Sequence, residues 1–455
     1  MEPTSSASIR AARWFLAGLF AISLYRAATQ SVTPAEAWDY TRFIGAPWVE
    51  ALARTEALAR FDVNHHVLNT LLVRISTACF HLTELSLRLP SLLAGGLYLW
   101  VVFRMARHCF GDGVNFLAVL GLLTLNPLVV DALSEANGNG MALTAFLWAL
   151  ELLVGQALPP ANSTQLNLAG MCLGLSVAAS LAFAAPVGAL LIVLLLWTGK
   201  ATQARILALT ALLTAFILLV IPLNHADWGT LAGATSLRQT INRLTEISLG
   251  TSLKVIDAVA RVALAVLACA AAFTALSHWR QRDGALPTFA GATLALTLVL
   301  LLAAHRWLHT PFPESAIYLI PLTVLSLMAT ILKRRNRTAQ IAVLLLSAVL
   351  LVSYLSEFRF GMYADGRQFA GARTLAKTLR ARAGKNAVRI GAGPAAEPIM
   401  SYYRIRYRQG NWQLVDLLPL KGTCDYYVLT SADTALIGQR HLQELYRDGG
   451  LTLAK

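Results

Sequence analysis

The chain has 455 residues, of which 56% are hydrophobic and only 14% charged, with a mean hydropathy of +0.57. A soluble protein carries roughly a quarter charged residues, so the composition excludes a soluble globular protein and reads as a multispanning membrane protein with a more polar C-terminal part. Of the net charge of +14, residues Phe358 to Lys455 contribute +8 (15 Lys+Arg less 7 Asp+Glu). Basic charge on a domain tethered in this way argues against nucleic acid and for an anionic membrane surface or a lipid-linked phosphate as partner.

The first apolar run, Trp14–Tyr25, follows Arg10 and Arg13, the flank expected of a secretory signal. Arg26 falls where small residues would be needed for cleavage, so the run reads as an uncleaved signal-anchor helix. The polar interval Ser31–Pro90 comes next and gathers carboxylates, two adjacent histidines, arginines and aromatics against the membrane. Within it, His66–Leu82 sets Val67, Leu68, Leu71, Leu72, Ile75, Cys79 and Phe80 at helical spacing, while Arg74 and His81 make it a poor span. A helix lying in the interface is expected there. Trp38–Leu58 is expected to form a second one, anchored by Trp38, Phe43 and Trp48.

Runs of spanning length, about 17–25 residues, follow at Leu89–Arg107, Val114–Leu133, Met141–Ala157, Leu166–Phe183 and Ala184–Thr198. Others are Ile206–Leu223, Val255–Ser277, Leu286–Ala304, Ser315–Leu332 and Ile341–Leu355, about eleven with the first. That count puts Arg10/Arg13, Arg104/Arg107, Lys200/Arg205, Arg280/Arg282 and Lys333/Arg334/Arg335/Arg337 on one face, cytoplasmic by the positive-inside rule. The Ser31–Pro90, Asn224–Lys254 and His305–Glu314 loops and the C-terminal part then lie outside. The expected division is a transmembrane domain over 1–357 and a soluble extracytoplasmic domain over 358–455.

That last domain alternates helix (Gln368–Ala383), strand (Ala387–Gly391), helix (Glu397–Tyr407), strands Trp412–Val415 and Tyr426–Thr430, helix (Asp433–Arg447) and strand (Leu451–Ala454). The alternation predicts a small α/β domain with a partly parallel sheet. Its Gly391-Ala392-Gly393-Pro394 lacks a dinucleotide fingerprint and reads as a turn. Tyr402, Tyr403, Arg404, Arg406, Tyr407 and Arg408 form a basic-aromatic patch, read either as an acceptor or lipid-docking surface or as a solvated helix face. The five cysteines (Cys79, Cys109, Cys172, Cys269, Cys424) show no paired spacing, so no disulfide framework or zinc site is legible.

In order, these features resemble the GT-C glycosyltransferases, in particular the branch of bacterial lipid A aminoarabinose transferases and protein mannosyltransferases. TPAEAWDYTRF (Thr33–Phe43) is similar to the acidic first-loop motif, NHHVLNTLL (from Asn64) to the His-containing helix, and LRLPSLLAG (from Leu87) to the entry of the second span. LNPLVVDALSEANGNGMAL (from Leu125) and HTPFPESAIYLIPL (from His309) are similar to later loop-to-span passages. The resemblance implies transfer of a sugar from a polyprenyl-phosphate donor to a lipid, glycan or protein acceptor on the outer face, with inversion. It also implies a bacterial inner-membrane location with a cytoplasmic N-terminus.

Such a reaction needs a carboxylate to take the acceptor's proton and cations or hydrogen-bond donors for the departing phosphate. Glu36 and Asp39 are the candidate catalytic acids: Ala35 stands where the family usually has aspartate, leaving Glu36 as the surviving acid, and a helix over Glu36–Tyr40 would put Asp39 on the same face to substitute for it, unless both acids solvate or cap that helix. His65, His66, Arg74, Arg88, His305 and Arg306 are candidate donor-phosphate contacts, and Asp131 and Glu135 a second acidic or acceptor site. Asn137 occupies the place of a frequent arginine. No cofactor is expected, and no tight acidic cluster predicts a divalent ion. Two further classes stay open: a non-catalytic relative binding a lipid-linked sugar or partner protein, and a transporter. The nearly charge-free span centres argue against the transporter.

Overall fold

The computed structural model describes residues 4–44, 66–155, 163–198, 201–224, 233–250, 285–313, 316–332, 337–358, 360–363, 366–417 and 423–455. Five helical stretches among them are long and apolar enough to cross a membrane: Ala7–Thr29, Glu84–Phe110, Thr202–Val220, Phe289–Leu308 and Arg337–Glu357. Shorter apolar helices accompany them, and the chain is a multi-pass membrane protein. The expected run Val255–Ser277 and most of the expected interfacial helix Trp38–Leu58 lie outside the described residues.

The chain opens with α1 (Thr4–Thr29), the short α2 (Pro34–Asp39) running into a π-turn over Tyr40–Ile44, and α3 (Val67–Phe80). Helix α4 (Glu84–Phe110) begins five residues ahead of the expected span, because Thr83 caps it reciprocally with Ser86. Pro90 therefore sits inside the helix and cannot donate to the carbonyl of Ser86. Ser76 Oγ takes that carbonyl at 2.7 Å, so the loss is made good from α3.

The expected single span Val114–Leu133 is two helices, α5 (Val114–Thr124) and α6 (Pro127–Ala132). Asn126 breaks it, its side chain accepting from the amides of Leu128 and Val129 while Pro127 opens the next turn. Then come α7 (Asn139–Gly155), α8 (Ser163–Ala179), α9 (Ala184–Thr198), α10 (Ala201–Asn224), α11 (Leu237–Leu249), α12 (Ala285–Leu308), α13 (Leu319–Leu332) and α14 (Arg337–Glu357). Helices α8 and α10 touch where a Cβ at Gly174 would fall 2.5 Å from the carbonyl oxygen of Ala211. Small residues at such contacts let membrane helices approach closely.

A C-terminal sheet is present, in the order β2-β1-β3-β5-β4. Strands β1 (Val388–Ala392), β2 (Trp412–Asp416) and β3 (Tyr426–Thr430) run parallel; β5 (Leu451–Ala454) and β4 (Glu444–Asp448) are antiparallel. Helices α15 (Ala372–Ala383) and α16 (Glu397–Arg406) pack with them. The helix expected over Asp433–Arg447 is corrected: only α17 (Ala435–Gln439) is helical, and the segment after His441 is β4. Gly449-Gly450, joining Asp448 to Leu451, makes β4 and β5 a hairpin, and Gly449 has the positive φ that such two-residue turns demand.

Two large apolar cores result. One lies among the membrane helices. The other joins Val32, Ala37, Tyr40, Ile44, Val73 and Leu87 from the first-loop region and its flanking helices to Phe369, Leu375, Leu379, Ile390, Tyr402, Tyr403 and Trp412. Each large apolar side chain fully buried stabilises by roughly 1.5–3 kcal/mol. The sheet domain is thus bound to the first loop by a core of its own.

Candidate active site

Helix α2 is set by its sequence. Thr33 caps it, Pro34 occupies its first turn, and Glu36 completes a capping box by accepting from the Thr33 amide at 2.9 Å. The Glu36 carboxylate then turns inward, where residue and partner are fully buried, and meets Arg88, one turn into α4. Arg88 Nε donates to Oε1 at 2.8 Å and Nη2 to Oε2 at 2.6 Å, a bidentate pair. The amide of Ala136 adds a bond to Oε1 at 2.9 Å.

The remaining guanidinium hydrogens go to the carbonyls of Ala27 (3.2 Å), Gln30 (2.9 Å) and Ser31 (2.8 Å). These are orphan acceptors at and just beyond the end of α1. An arginine has five N–H donors, and here all five are used inside the protein. Burial by itself would raise the Glu36 carboxyl. The guanidinium of Arg88 outweighs it, with the Ala136 and Thr33 amides, and holds the carboxyl below the ordinary range.

Two expectations meet this geometry. Glu36, a candidate base, has both oxygens occupied by internal donors, and Arg88, a candidate phosphate contact, has no N–H left for an external anion. The two join α1, α2, α4 and the loop after α6 at one point.

Asp131 and Glu135, expected as a second acidic site, are also internally engaged. Asp131 accepts from Arg26 Nη2 at 2.5 Å, and the same nitrogen reaches the carbonyl of Met362 at 3.1 Å. Both guanidiniums, of Arg26 and Arg88, lie over the ring of Tyr363, at 5.1 and 4.8 Å. Glu135 accepts from Thr33 Oγ1 (3.2 Å) and from Asn137 Nδ2 (2.9 Å), while Asn137 Oδ1 receives the amide of Asn139 at 3.1 Å. Asn137 thus shapes the turn that follows α6.

Outward from this buried layer, α2 presents a different face. Ala35 and Trp38 are exposed and Asp39 is half-buried. Positions 35 and 39 are one helical turn apart on the same flank. Arg42, also exposed, lies 4.0 Å above the Trp38 ring. Of the other candidate cations, His65 lies outside the described residues. His66 points its Nδ1 at the Ala179 carbonyl, 2.8 Å away, which fixes the ring against the end of α8. Arg74 is half-buried on α3. His305 stacks on Phe312 at 4.5 Å and bonds the Thr310 carbonyl, with Arg306 exposed beside it, in a corner held by pairing of Ala234 with Phe312. Among the described residues no three His, Cys, Asp or Glu side chains converge as a metal would require.

Sequence reasoning passed over Arg26, read only as a block to cleavage, and Tyr363. The T-x-x-E pattern of Thr33–Glu36 was the available sign that Glu36 is a capping residue. The basic-aromatic patch is also redrawn. Tyr402 and Tyr403 are fully buried against the first loop, Tyr402 edge-on to Tyr40 at 5.5 Å, so they form a domain junction rather than an outer surface.

A family model described as dolichyl-phosphate-mannose-protein mannosyltransferase matches residues 64–225. The crystal structure of ArnT from Cupriavidus metallidurans in the apo state is similar over 97% of this chain and 97% of that one, at 12% identity and a TM-score of 0.56. The same protein bound to undecaprenyl phosphate gives 13% identity, 97% of each chain and a TM-score of 0.48. The oligosaccharyltransferase of Archaeoglobus fulgidus in the apo form gives 12% identity, 92% of this chain, 70% of that one and a TM-score of 0.49. No curated protein matches the chain. The resemblance to membrane glycosyltransferases is borne out over the matched residues 64–225, which take in the His-containing helix and the span-entry motif, and the fold is similar to that of the ArnT structure.

Proposed function

We propose that this protein transfers a sugar from a polyprenyl-phosphate-linked donor to a lipid, glycan or protein acceptor at the outer face of a bacterial inner membrane, with inversion at the anomeric carbon. The observation that carries the reading is the two-sided first-loop helix α2. Its inward face is saturated by the Glu36–Arg88 pair, and its outward flank carries Asp39 one turn from Ala35. Support also comes from the fold and from the family model, whose description names a lipid-phosphate sugar donor.

In this reading Asp39 accepts the proton of the acceptor's hydroxyl or amine. The acceptor's lone pair forms the new bond to the anomeric carbon, and the bond from that carbon to the phosphate oxygen breaks. The polyprenyl phosphate leaves with that electron pair, met by cations such as Arg42, Arg74 and His66, with His305 and Arg306 as a second cationic group. Glu36 and Arg88 are positioning residues. No resident cofactor is invoked. The reading includes eleven spans, a cytoplasmic N-terminus, an extracytoplasmic sheet domain and a domain division near residue 357.

Asn137, spent in a turn, and Ala35, lacking the usual acid, favour a second reading: a relative that binds a lipid-linked sugar or a partner protein without catalysis. Turnover by purified protein with a panel of polyprenyl-phosphate sugars separates the two. Wild type should turn over, Asp39→Asn should lose activity while staying folded, and Glu36→Gln should lose activity and first-loop amide protection together. Lipid-phosphate binding with no turnover from any donor would select the second reading.

A further inference from the structure

Between residues 366 and 415 the chain carries ten basic residues (Arg367, Arg373, Lys377, Arg380, Arg382, Lys385, Arg389, Arg404, Arg406, Arg408) against one acid, Glu397. The fold brings several of these cations to one place. On α15, Arg373, Lys377 and Arg380 are spaced by four and three residues and so share a flank. Its buried stripe, Ala372, Leu375, Ala376, Leu379 and Ala383, packs into the core beside them. Arg373 Nη1 donates to the carbonyls of Ala28 and Thr29, at 3.2 and 3.3 Å. These carbonyls close α1, which is long and apolar enough to span.

Arg373 Nε also lies 3.5 Å from Glu84, the first residue of the second such helix, α4, and Glu84 pairs with Arg406. Arg380 and Arg406 lie over the ring of Tyr407, at 5.3 and 5.5 Å. The flank therefore stands where two candidate spans reach the same boundary. Around it Glu84 is shared by two arginines, and among the described residues no carboxylate pairs with the exposed Lys377 or Arg380. Tyr25 and Leu24, near the end of α1, and Phe80, four residues before α4, are exposed large side chains. Aromatic groups at the ends of spans mark the headgroup layer.

We infer that the flank Arg373–Lys377–Arg380 is a docking surface for the headgroups of anionic phospholipids in the leaflet at that boundary, seating the sheet domain on the membrane. The charge is of one sign, it lies at the level of the span ends, and a bilayer is the one polyanionic surface that this geometry guarantees within reach. The site is independent of the sugar-transfer reading, and its test does not read activity.

The full-length chain is placed in nanodiscs of phosphatidylcholine with a rising fraction of phosphatidylglycerol, and amide exchange is followed over α15. Protection should rise with the anionic fraction. In Lys377→Gln and in Arg380→Gln the fraction giving half the effect should increase about fivefold each, from ~1 kcal/mol per basic residue near an anionic surface. The double variant should need about thirtyfold more by the same figure. Arg382→Gln, exposed on the opposite flank, should titrate as wild type. Inorganic phosphate added to pure phosphatidylcholine discs should leave exchange unchanged. Equal protection in both lipids, an undiminished response in the double variant, an equal loss in Arg382→Gln, or full protection by inorganic phosphate would each overturn the inference.

Discussion

Replacing Arg88 by methionine removes the cation from the most connected point of the first loop. Glu36 stays behind, fully buried, with two of its four donors gone, and the carbonyls of Ala27, Gln30 and Ser31 lose their partner together. Removing one member of a buried, hydrogen-bonded pair costs about 3–5 kcal/mol. Since each ~1.4 kcal/mol is a factor of ten, local opening of this region should become about two to nearly four orders of magnitude more frequent. Global melting of a polytopic chain is not a two-state measurement, so amide exchange is the better assay. The amides to watch are Ala37, bonded to the Thr33 carbonyl, and Ala136, bonded to Glu36. Glu36→Gln should show a similar loss. The double variant Glu36→Gln/Arg88→Met should lose markedly less than the sum of the two, because no unpaired charge remains. Unchanged exchange in Arg88→Met, or strict additivity in the double variant, would refute the account of this pair as the join of α1, α2 and α4.

Three further outcomes follow from the same geometry. The folded Glu36 carboxyl lies below its unfolded value, so the pair's contribution is complete above the ordinary carboxylate pKa of about 4.3 and is lost as pH falls through the folded value; first-loop protection should collapse there and not near neutrality. Ala35→Asp restores an acid on the exposed flank that Asp39 shares, so it should leave first-loop amide exchange unchanged and return sugar transfer to an inactive Asp39→Asn protein; continued inactivity with unchanged exchange would count against migration of the carboxylate along α2. Gly250 closes α11 with φ +68, a backbone conformation that costs a residue with a Cβ about 1–3 kcal/mol, so Gly250→Ala should fray the end of α11 and raise exchange over 237–249 about tenfold, the equivalent of ~1.4 kcal/mol.

Much of this protein is legible from its sequence, because membrane insertion writes itself as length and apolarity. The helix expected over His66–Leu82 and strands β1, β2, β3 and β5 fall within a few residues of their expected places, and the first apolar run lies inside the longer α1. These features depend on neighbours in the chain: apolar runs, alternation, caps and turns. Where local signals were misread, local chemistry explains it, as at Asn126-Pro127, which splits a span, and at the Gly449-Gly450 hairpin, which turns an expected helix into a strand.

The site was less legible, since the meaning of a charge depends on what folding sets beside it. The sequence offered Glu36, Asp39 and Arg88 as polar residues of the first-loop region and Asp131 and Glu135 as a second acidic site at the end of a later span, each open to several roles. Tertiary contacts across 52 positions (Glu36 to Arg88), 105 (Arg26 to Asp131) and 319 (Glu84 to Tyr403) divided them into a buried, saturated layer and an outward flank. Burial makes an unmatched charge costly and so forces pairing among residues far apart in the chain. Which residues pair across such distances, and which flank of α2 Asp39 occupies, was decided by the packing of α1, α2, α4 and the sheet domain around one guanidinium.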